Sequence, residues 1–85
     1  LGATTKNDGG RLVVEKVRRG TPAHDAGLIV GDEILAIGED RVRPEQWPTR
    51  MEQYRPGERV SLLVARRDRL TRLDATFARE PMEPW

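Results

Sequence analysis

The chain has 85 residues, with 15 Lys and Arg against 14 Asp and Glu, a formal net charge of +1, and no cysteine. A chain of this length makes one small domain, burying about 60–65% of its unfolded surface, too little to enclose a large active site. The near-zero charge supplies no bulk field toward nucleic acid or anionic lipid, and the lack of cysteine excludes a disulfide framework and thiolate metal sites while fitting a reducing or an oxidising compartment equally. No apolar run approaches the roughly 18 residues of a membrane span. The opening Leu1-Gly2-Ala3-Thr4-Thr5 carries no signal-peptide pattern and is expected to lie inside a longer protein.

Residues 1–6 form a short stretch with two β-branched threonines, closed by the turn cluster Asn7-Asp8-Gly9-Gly10, which predicts a hairpin. Its second arm, residues 11–17, carries Val13, Glu15 and Val17 on one face and Leu12, Val14 and Lys16 on the other. Alternation alone does not choose the core face, and a bulge would reconcile the two sets. In Gly20-Thr21-Pro22-Ala23-His24-Asp25-Ala26-Gly27, Thr21 suits an N-cap, Pro22 the first helical position and Gly27 the left-handed residue that ends a helix, so a short helix is expected over residues 22–26. Leu28 then folds back as an apolar contact, Gly31-Asp32 turns the chain, and Ile34-Leu35-Ala36-Ile37 is an apolar run expected to be a strand buried on both faces.

Gly38-Glu39-Asp40 makes the next turn, and Arg43-Pro44-Glu45 reads as a helix start. Over residues 44–54, Trp47, Met51 and Tyr54 form an i, i+4, i+7 stripe on one helical face. Pro48 conflicts with a regular helix there: either the first turn is distorted or the helix begins at Pro48. After Arg55-Pro56-Gly57-Glu58, a central strand alternates Val60, Leu62 and Val64 with Ser61, Leu63 and Ala65. Arg66-Arg67-Asp68-Arg69 turns into a last strand, residues 70–79, with Leu73, Ala75 and Phe77 facing in and Arg72, Asp74 and Thr76 facing out. Residues 80–85 have no period and are expected to be a loose tail.

The stretch Gly-Thr-Pro-Ala-x-x-Ala-Gly-Leu-x-x-Gly-Asp-x-Ile-Leu-Ala-Ile over residues 20–37 resembles the central signature of PDZ domains. The resemblance covers residues 1–79 and implies an α+β fold, a small partly open antiparallel barrel or sandwich of about five strands capped by two helices. With no strand before Leu1 and an extra strand at the end, the element order is similar to the permuted arrangement of bacterial PDZ domains attached to proteases. In that family the signature stretch builds the core, and the ligand site lies elsewhere.

PDZ domains take an extended peptide as an added strand between their ligand-binding strand and their longer helix. For this chain the resemblance implies a groove between residues 1–6 and 44–54. Leu1-Gly2-Ala3 is similar to the apolar-Gly-apolar loop that receives the peptide's terminal carboxylate, with the N–H groups of Gly2 and Ala3 as donors of an anion nest; Thr4 and Thr5 continue the strand. The small Ala3 implies a wide or shallow pocket for the last peptide residue. Trp47, Met51 and Tyr54 are candidates for the other wall, although a single apolar stripe is as readily core, and the resemblance sets Trp47 and Met51 nearest the ligand.

Catalytic readings find little support. His24 is the only histidine, without the His-Glu-x-x-His spacing of zinc peptidases or a serine triad around it. Asp32 and Glu33 have no second carboxylate pair in an evident cleft, and Asp8-Gly9-Gly10 opens a strand and not a phosphate-binding helix. Arg66, Arg67, Arg69 and Arg72 are interleaved with Asp68 and Asp74 and lack an aromatic platform, the pattern of a solvated hairpin tip and not of a nucleic-acid surface. Neither a nucleic-acid nor a membrane partner is expected.

Pro-Glu-Gln-Trp-x-x-Arg-Met-Glu-Gln-Tyr-Arg-Pro-Gly-Glu, followed by Ala-Arg-Arg-Asp-Arg-Leu and Ala-Thr-Phe-Ala-x-Glu-Pro, resembles the C-terminal PDZ domain of glycyl aminopeptidases, the gluzincin zinc peptidases. The other candidate parent is a periplasmic high-temperature-requirement serine protease. Either resemblance implies a non-catalytic accessory module of a bacterial peptidase, periplasmic or cytoplasmic, with any zinc held outside this chain. The expected partners are a peptide or protein C-terminus and the parent catalytic domain, and the alternative is a domain that packs on its own peptidase with the groove closed. The chain is expected to be a monomer, with Met82-Glu83-Pro84-Trp85 as a candidate tail for a neighbour's groove.

Overall fold

The computed structural model describes residues 1–77. The expected end of the last strand at residue 79 and the loose tail expected over residues 80–85 lie outside the described residues. In chain order the elements are β1 (Ala3–Asp8), β2 (Arg11–Val17), α1 (Pro22–Ala26), β3 (Glu33–Ile37), β4 (Asp40–Arg41), a 3₁₀ turn (Pro44–Gln46), α2 (Trp47–Glu52), β5 (Arg59–Arg66) and β6 (Arg69–Thr76). The strands form one open antiparallel sheet in the order β1-β2-β3-β5-β6, with the two-residue β4 added beside β3. This is the expected α+β architecture, with β4 as a strand too short to have been read from its pattern.

α1 forms where its caps place it. Thr21 accepts from the His24 N–H, Pro22 occupies the first turn and Gly27 closes the helix at φ 95°. Ala23 and Leu28 are buried below it. The two faces of β2 are reconciled by a bulge: Thr4 pairs with Lys16 and Thr5 with Val14, so Glu15 has no partner. Leu12 and Val14 point to the core before it, Glu15 and Lys16 are both exposed, and Val17 turns back inward.

A second irregularity corrects the expectation for β3. Ile34 pairs with Val64 and Ala36 with Leu63, which leaves Leu35 out of register. The skip turns Ile34 and Ile37, three residues apart, toward the same core, while Leu35 and Ala36 are only half-buried. β3 is therefore buried on one face and partly covered on the other. β5 is internal, and its Val60, Leu62 and Val64 complete the core with Val42, Trp47, Ala75 and Phe77.

Asp32 is the only buried charged residue among those described, 1% exposed. Arg66 donates to it twice, from Nε to Oδ1 at 2.8 Å and from Nη2 to Oδ2 at 2.7 Å, and also to the Gly27 carbonyl at 2.8 Å. The Ile29 N–H adds a fourth bond, to Oδ2. The hydrogen bond with Asp32 raises the Arg66 pKa against the opposing effect of desolvation. Arg66 is thus a structural clasp between β5, the end of α1 and the start of β3, which removes it from the solvated tip expected of the arginine cluster. Arg67 and Asp68 do form that tip, both at positive φ, 51° and 66°.

Candidate functional site

β1 is the first strand of the sheet and, among the described residues, pairs only with β2, which leaves its other edge unpaired by them. In an antiparallel ladder, residues alternate between those bonded to the neighbour and those whose N–H and C=O face away. Val14, opposite Thr5, spends its N–H on Asp32 and its C=O on Gly31. The Thr5–Val14 pair is therefore not bonded across β1 and β2, and the backbone groups of Thr5 face the open edge. Gly2 accepts from the Arg18 N–H, which makes Gly2–Arg18 a bonded position and Ala3 an outward one. The strand thus offers Ala3 and Thr5 to an incoming chain, with Asn7 next in the alternation.

The loop before β1 is held by its carbonyls. Leu1 C=O accepts from the Ala23 N–H at 3.0 Å and Gly2 C=O from the Arg18 N–H at 2.9 Å. Because a trans peptide unit sets its N–H opposite its C=O, the N–H groups of Gly2 and Ala3 point away from α1 and β2 respectively. Gly2 has φ +98°, and a Cβ there would lie 2.2 Å from Thr21 Cβ. Only glycine fits this close approach and this backbone region. Thr21 is itself fixed, donating from Oγ1 to the Arg18 carbonyl at 2.6 Å while capping α1. The Gly-Thr-Pro-Ala stretch therefore supports the loop directly, a role not foreseen from the sequence, since nothing local links Gly2 to a threonine so distant in the chain.

Opposite β1 lies the 3₁₀ turn and the start of α2. Between them is a cavity of about 260 Å³, lined on one side by Thr5, Lys6, Asn7 and Leu12 and on the other by Pro44, Glu45 and Pro48. The conflict over Pro48 is resolved by a distorted first turn: residues 44–46 wind as 3₁₀, α2 begins at Trp47, and Pro48 sits in its first turn, where no intrahelical N–H bond is required. This resets the candidates for the wall. Trp47 is 6% exposed and belongs to the core, and Met51 is half-buried against the same core. Tyr54 lies beyond the end of α2, stacked on Phe77 with ring centroids 4.9 Å apart, and receives a hydrogen bond from Arg50 Nε at 3.0 Å. The bond to Tyr54, and then that to Asp40, raises the Arg50 pKa against desolvation. Leu1, Ala3 and Thr5 are half-buried along β1, with Thr4 exposed.

A second cavity, about 350 Å³, lies on the flank of α2 toward β4, with Arg41, Thr49 and Gln53 in its lining. It touches no residue of β1. Among the described residues no group of three His, Cys, Asp or Glu is placed to hold a metal ion, and no helix is long and apolar enough to cross a membrane. His24 is on the exposed side of α1, 4.0 Å from the Asp25 carboxylate.

The chain belongs to the PDZ domain family, whose profile matches residues 1–76. PDZ domains are non-catalytic modules. Among solved structures it is similar to an aminopeptidase N family protein from Idiomarina loihiensis, at 32% identity and a TM-score of 0.84, over 94% of this chain and 14% of that one. It is also similar to the HtrA-type protease AlgW with a decapeptide, at 30% identity and a TM-score of 0.73, over 85% of this chain and 22% of that one. A serine-to-alanine form of AlgW with a decapeptide gives 26% identity and a TM-score of 0.84, over 95% and 29%. The chain thus spans less than a third of the length of these peptidases. The comparison with curated proteins found no match.

Proposed function

We propose that this chain is the peptide-binding module of a bacterial peptidase, taking an extended peptide with a free C-terminus as a strand added antiparallel to β1, in the groove between β1 and the 3₁₀ turn and α2. The observation that carries the reading is the orientation of the Leu1-Gly2-Ala3 loop. Its two carbonyls are bonded inward to α1 and β2, which leaves successive N–H groups aimed outward at the head of an open strand edge. Such a pair is a nest for an anion, and a terminal carboxylate at this point would continue into a chain that meets Ala3 and Thr5. The similarity to AlgW, whose structures contain a decapeptide or a tripeptide, supports a peptide as the ligand. Leu1, Gly2, Ala3 and Thr5 are the proposed contacts on the strand side, and Pro44, Glu45 and Pro48 those on the helix side.

The test is a titration with peptides differing only at the terminus. A free-acid peptide should bind at roughly micromolar Kd, about −8 kcal/mol. Amidation should remove about 1.5–3 kcal/mol, the worth of charge-assisted hydrogen bonds. Equal affinity for both forms would refute the carboxylate nest, and a C-terminal peptide library without binders would favour a domain that only packs against its own peptidase.

For the parent protein, we infer a metallo-aminopeptidase, on the similarity to the aminopeptidase N family protein at 32% identity. The catalytic zinc would then be bound upstream of this chain. An upstream His-Glu-x-x-His would support this, and a serine triad would assign the module to an HtrA-type protease instead.

A further inference from the structure

The sheet has a second open edge. β6 ends the strand order, and no described residue pairs with its outer side. We infer that this edge joins a second copy of the chain, β6 pairing antiparallel with β6 in a register centred on Leu73. The inference is independent of peptide binding at β1, which stands at the other end of the strand order, with α1 packed against β6 and bonded to the Leu1 carbonyl.

The backbone alternation is determined by the chain beyond β6. The Phe77 N–H donates to the Glu58 carbonyl and the Phe77 C=O accepts from the Gly57 N–H, so Phe77 and, alternating back, Ala75, Leu73 and Thr71 face β5. The N–H and C=O groups of Leu70, Arg72, Asp74 and Thr76 therefore face outward. All four of these residues are exposed, and Leu70, at 68%, is the most exposed large apolar side chain among those described. Strand edges are ordinarily guarded by proline, short length, bulges, a covering helix or charged side chains; α1 packs against β6, and charge guards an edge against a copy only where it meets like charge. The eight residues Arg69–Thr76 contain no proline, and the two charges at the centre of the edge are opposite in sign, Arg72 and Asp74.

Charge then selects one register. Antiparallel pairing about Leu73 sets each Arg72 opposite Asp74 of the second copy and each Leu70 opposite Thr76, and all four positions point their bonding groups across the seam. Sliding by one step in either direction that preserves the bonding pattern centres the pair on Arg72 or on Asp74 and opposes like charges. Unlike charges directly opposite in a sheet are favourable and like charges unfavourable. Among the described residues, Arg72 bonds only the Ser61 hydroxyl, at 3.2 Å, and Asp74 makes no ion pair. The pairing would leave both β1 edges free at the ends of a continuous sheet, presenting two grooves to one target.

Sedimentation velocity of the 85-residue chain across a concentration series tests the seam. Association is expected below roughly millimolar concentration. Asp74→Arg should weaken it at least tenfold, and the charge-swapped Arg72→Asp/Asp74→Arg protein should recover it, because the swapped pair is again self-complementary. Both positions are exposed, so folding is not at stake. Hydrogen exchange should slow with concentration at the amides of Leu70, Arg72, Asp74 and Thr76, and not at Thr71 or Leu73, which already bond β5. A monomer at every concentration, an unaffected single variant or a swap that fails to restore association would each overturn the inference.

Discussion

Replacing Gly2 by alanine probes the loop where it is most constrained. Kept in place, an alanine at φ +98° carries backbone strain of about 1–3 kcal/mol. Its Cβ would also lie 2.2, 2.4 and 2.5 Å from Thr21 Cβ, Oγ1 and Cγ2, adding about 1–3 kcal/mol of overpacking. Thr21 cannot rotate away without giving up its bonds to Arg18 and His24. The cheaper route is for the loop to lift off α1, which breaks the bonds from Ala23 and Arg18 to the Leu1 and Gly2 carbonyls, at about 0.5–1.5 kcal/mol each. Gly2→Ala should therefore destabilise the domain by about 1–3 kcal/mol in urea unfolding. It should weaken binding of a free-acid peptide roughly 10–100-fold by calorimetry, because the lifted loop no longer aims its N–H groups. Gly9→Ala is the control: that glycine also has positive φ, but a Cβ there meets nothing within 4 Å, so it should cost about 1 kcal/mol in stability and leave binding unchanged. A Gly2→Ala protein with native affinity would refute the assignment of the loop.

Three further outcomes follow from packing and charge. Leu28→Ala and Ile34→Ala, at side chains 2% and 1% exposed, should each cost about 2–5 kcal/mol; a loss below about 1 kcal/mol in urea unfolding would show that the cavity closes without penalty. Arg66→Ala strips two hydrogen bonds from buried Asp32, and since the Arg66 side chain is 30% exposed the cost should fall at or below the lower end of the range for broken buried pairs, about 2–3 kcal/mol. Full retention of stability would mean that water replaces the guanidinium. A salt titration with single-stranded or duplex DNA should show no binding, because Arg66 is committed to Asp32 and the other arginines alternate with acids; a steep salt slope would contradict this.

How much of this was legible in the sequence depended on the range of the interaction. α1 was read with its caps because Thr21, Pro22 and Gly27 are local signals, and the bulge in β2 was announced by two competing apolar sets. β3 departs from its expected two-sided burial because Leu35 has the same pattern in sequence whether it is in register or skipped; the choice rests on its pairing with β5. The stripe of Trp47, Met51 and Tyr54 is visible in the sequence, but the structure buries Trp47 and leaves Met51 and Tyr54 half-buried against the core, while Pro44 and Pro48, which read only as a helix start and a defect, line the cavity beside β1. Arg66 and Asp32, 34 positions apart, carry no mutual signal in a single sequence. The Leu1-Gly2-Ala3 loop is a candidate through its resemblance alone, and the contact of Gly2 with Thr21 is visible only in the fold.

The way Leu1 and Gly2 are tied down also bears on the speed of recognition. Their carbonyl bonds belong to the folded domain, so on the proposed reading the N–H donors are oriented before any peptide arrives and no loop has to be ordered during the encounter. Association should then be limited by alignment of the peptide along β1, at about 10⁵–10⁷ M⁻¹s⁻¹, and differ little between sequences. Peptides that fit the space beside Pro44 and Pro48 would be distinguished by how long they stay.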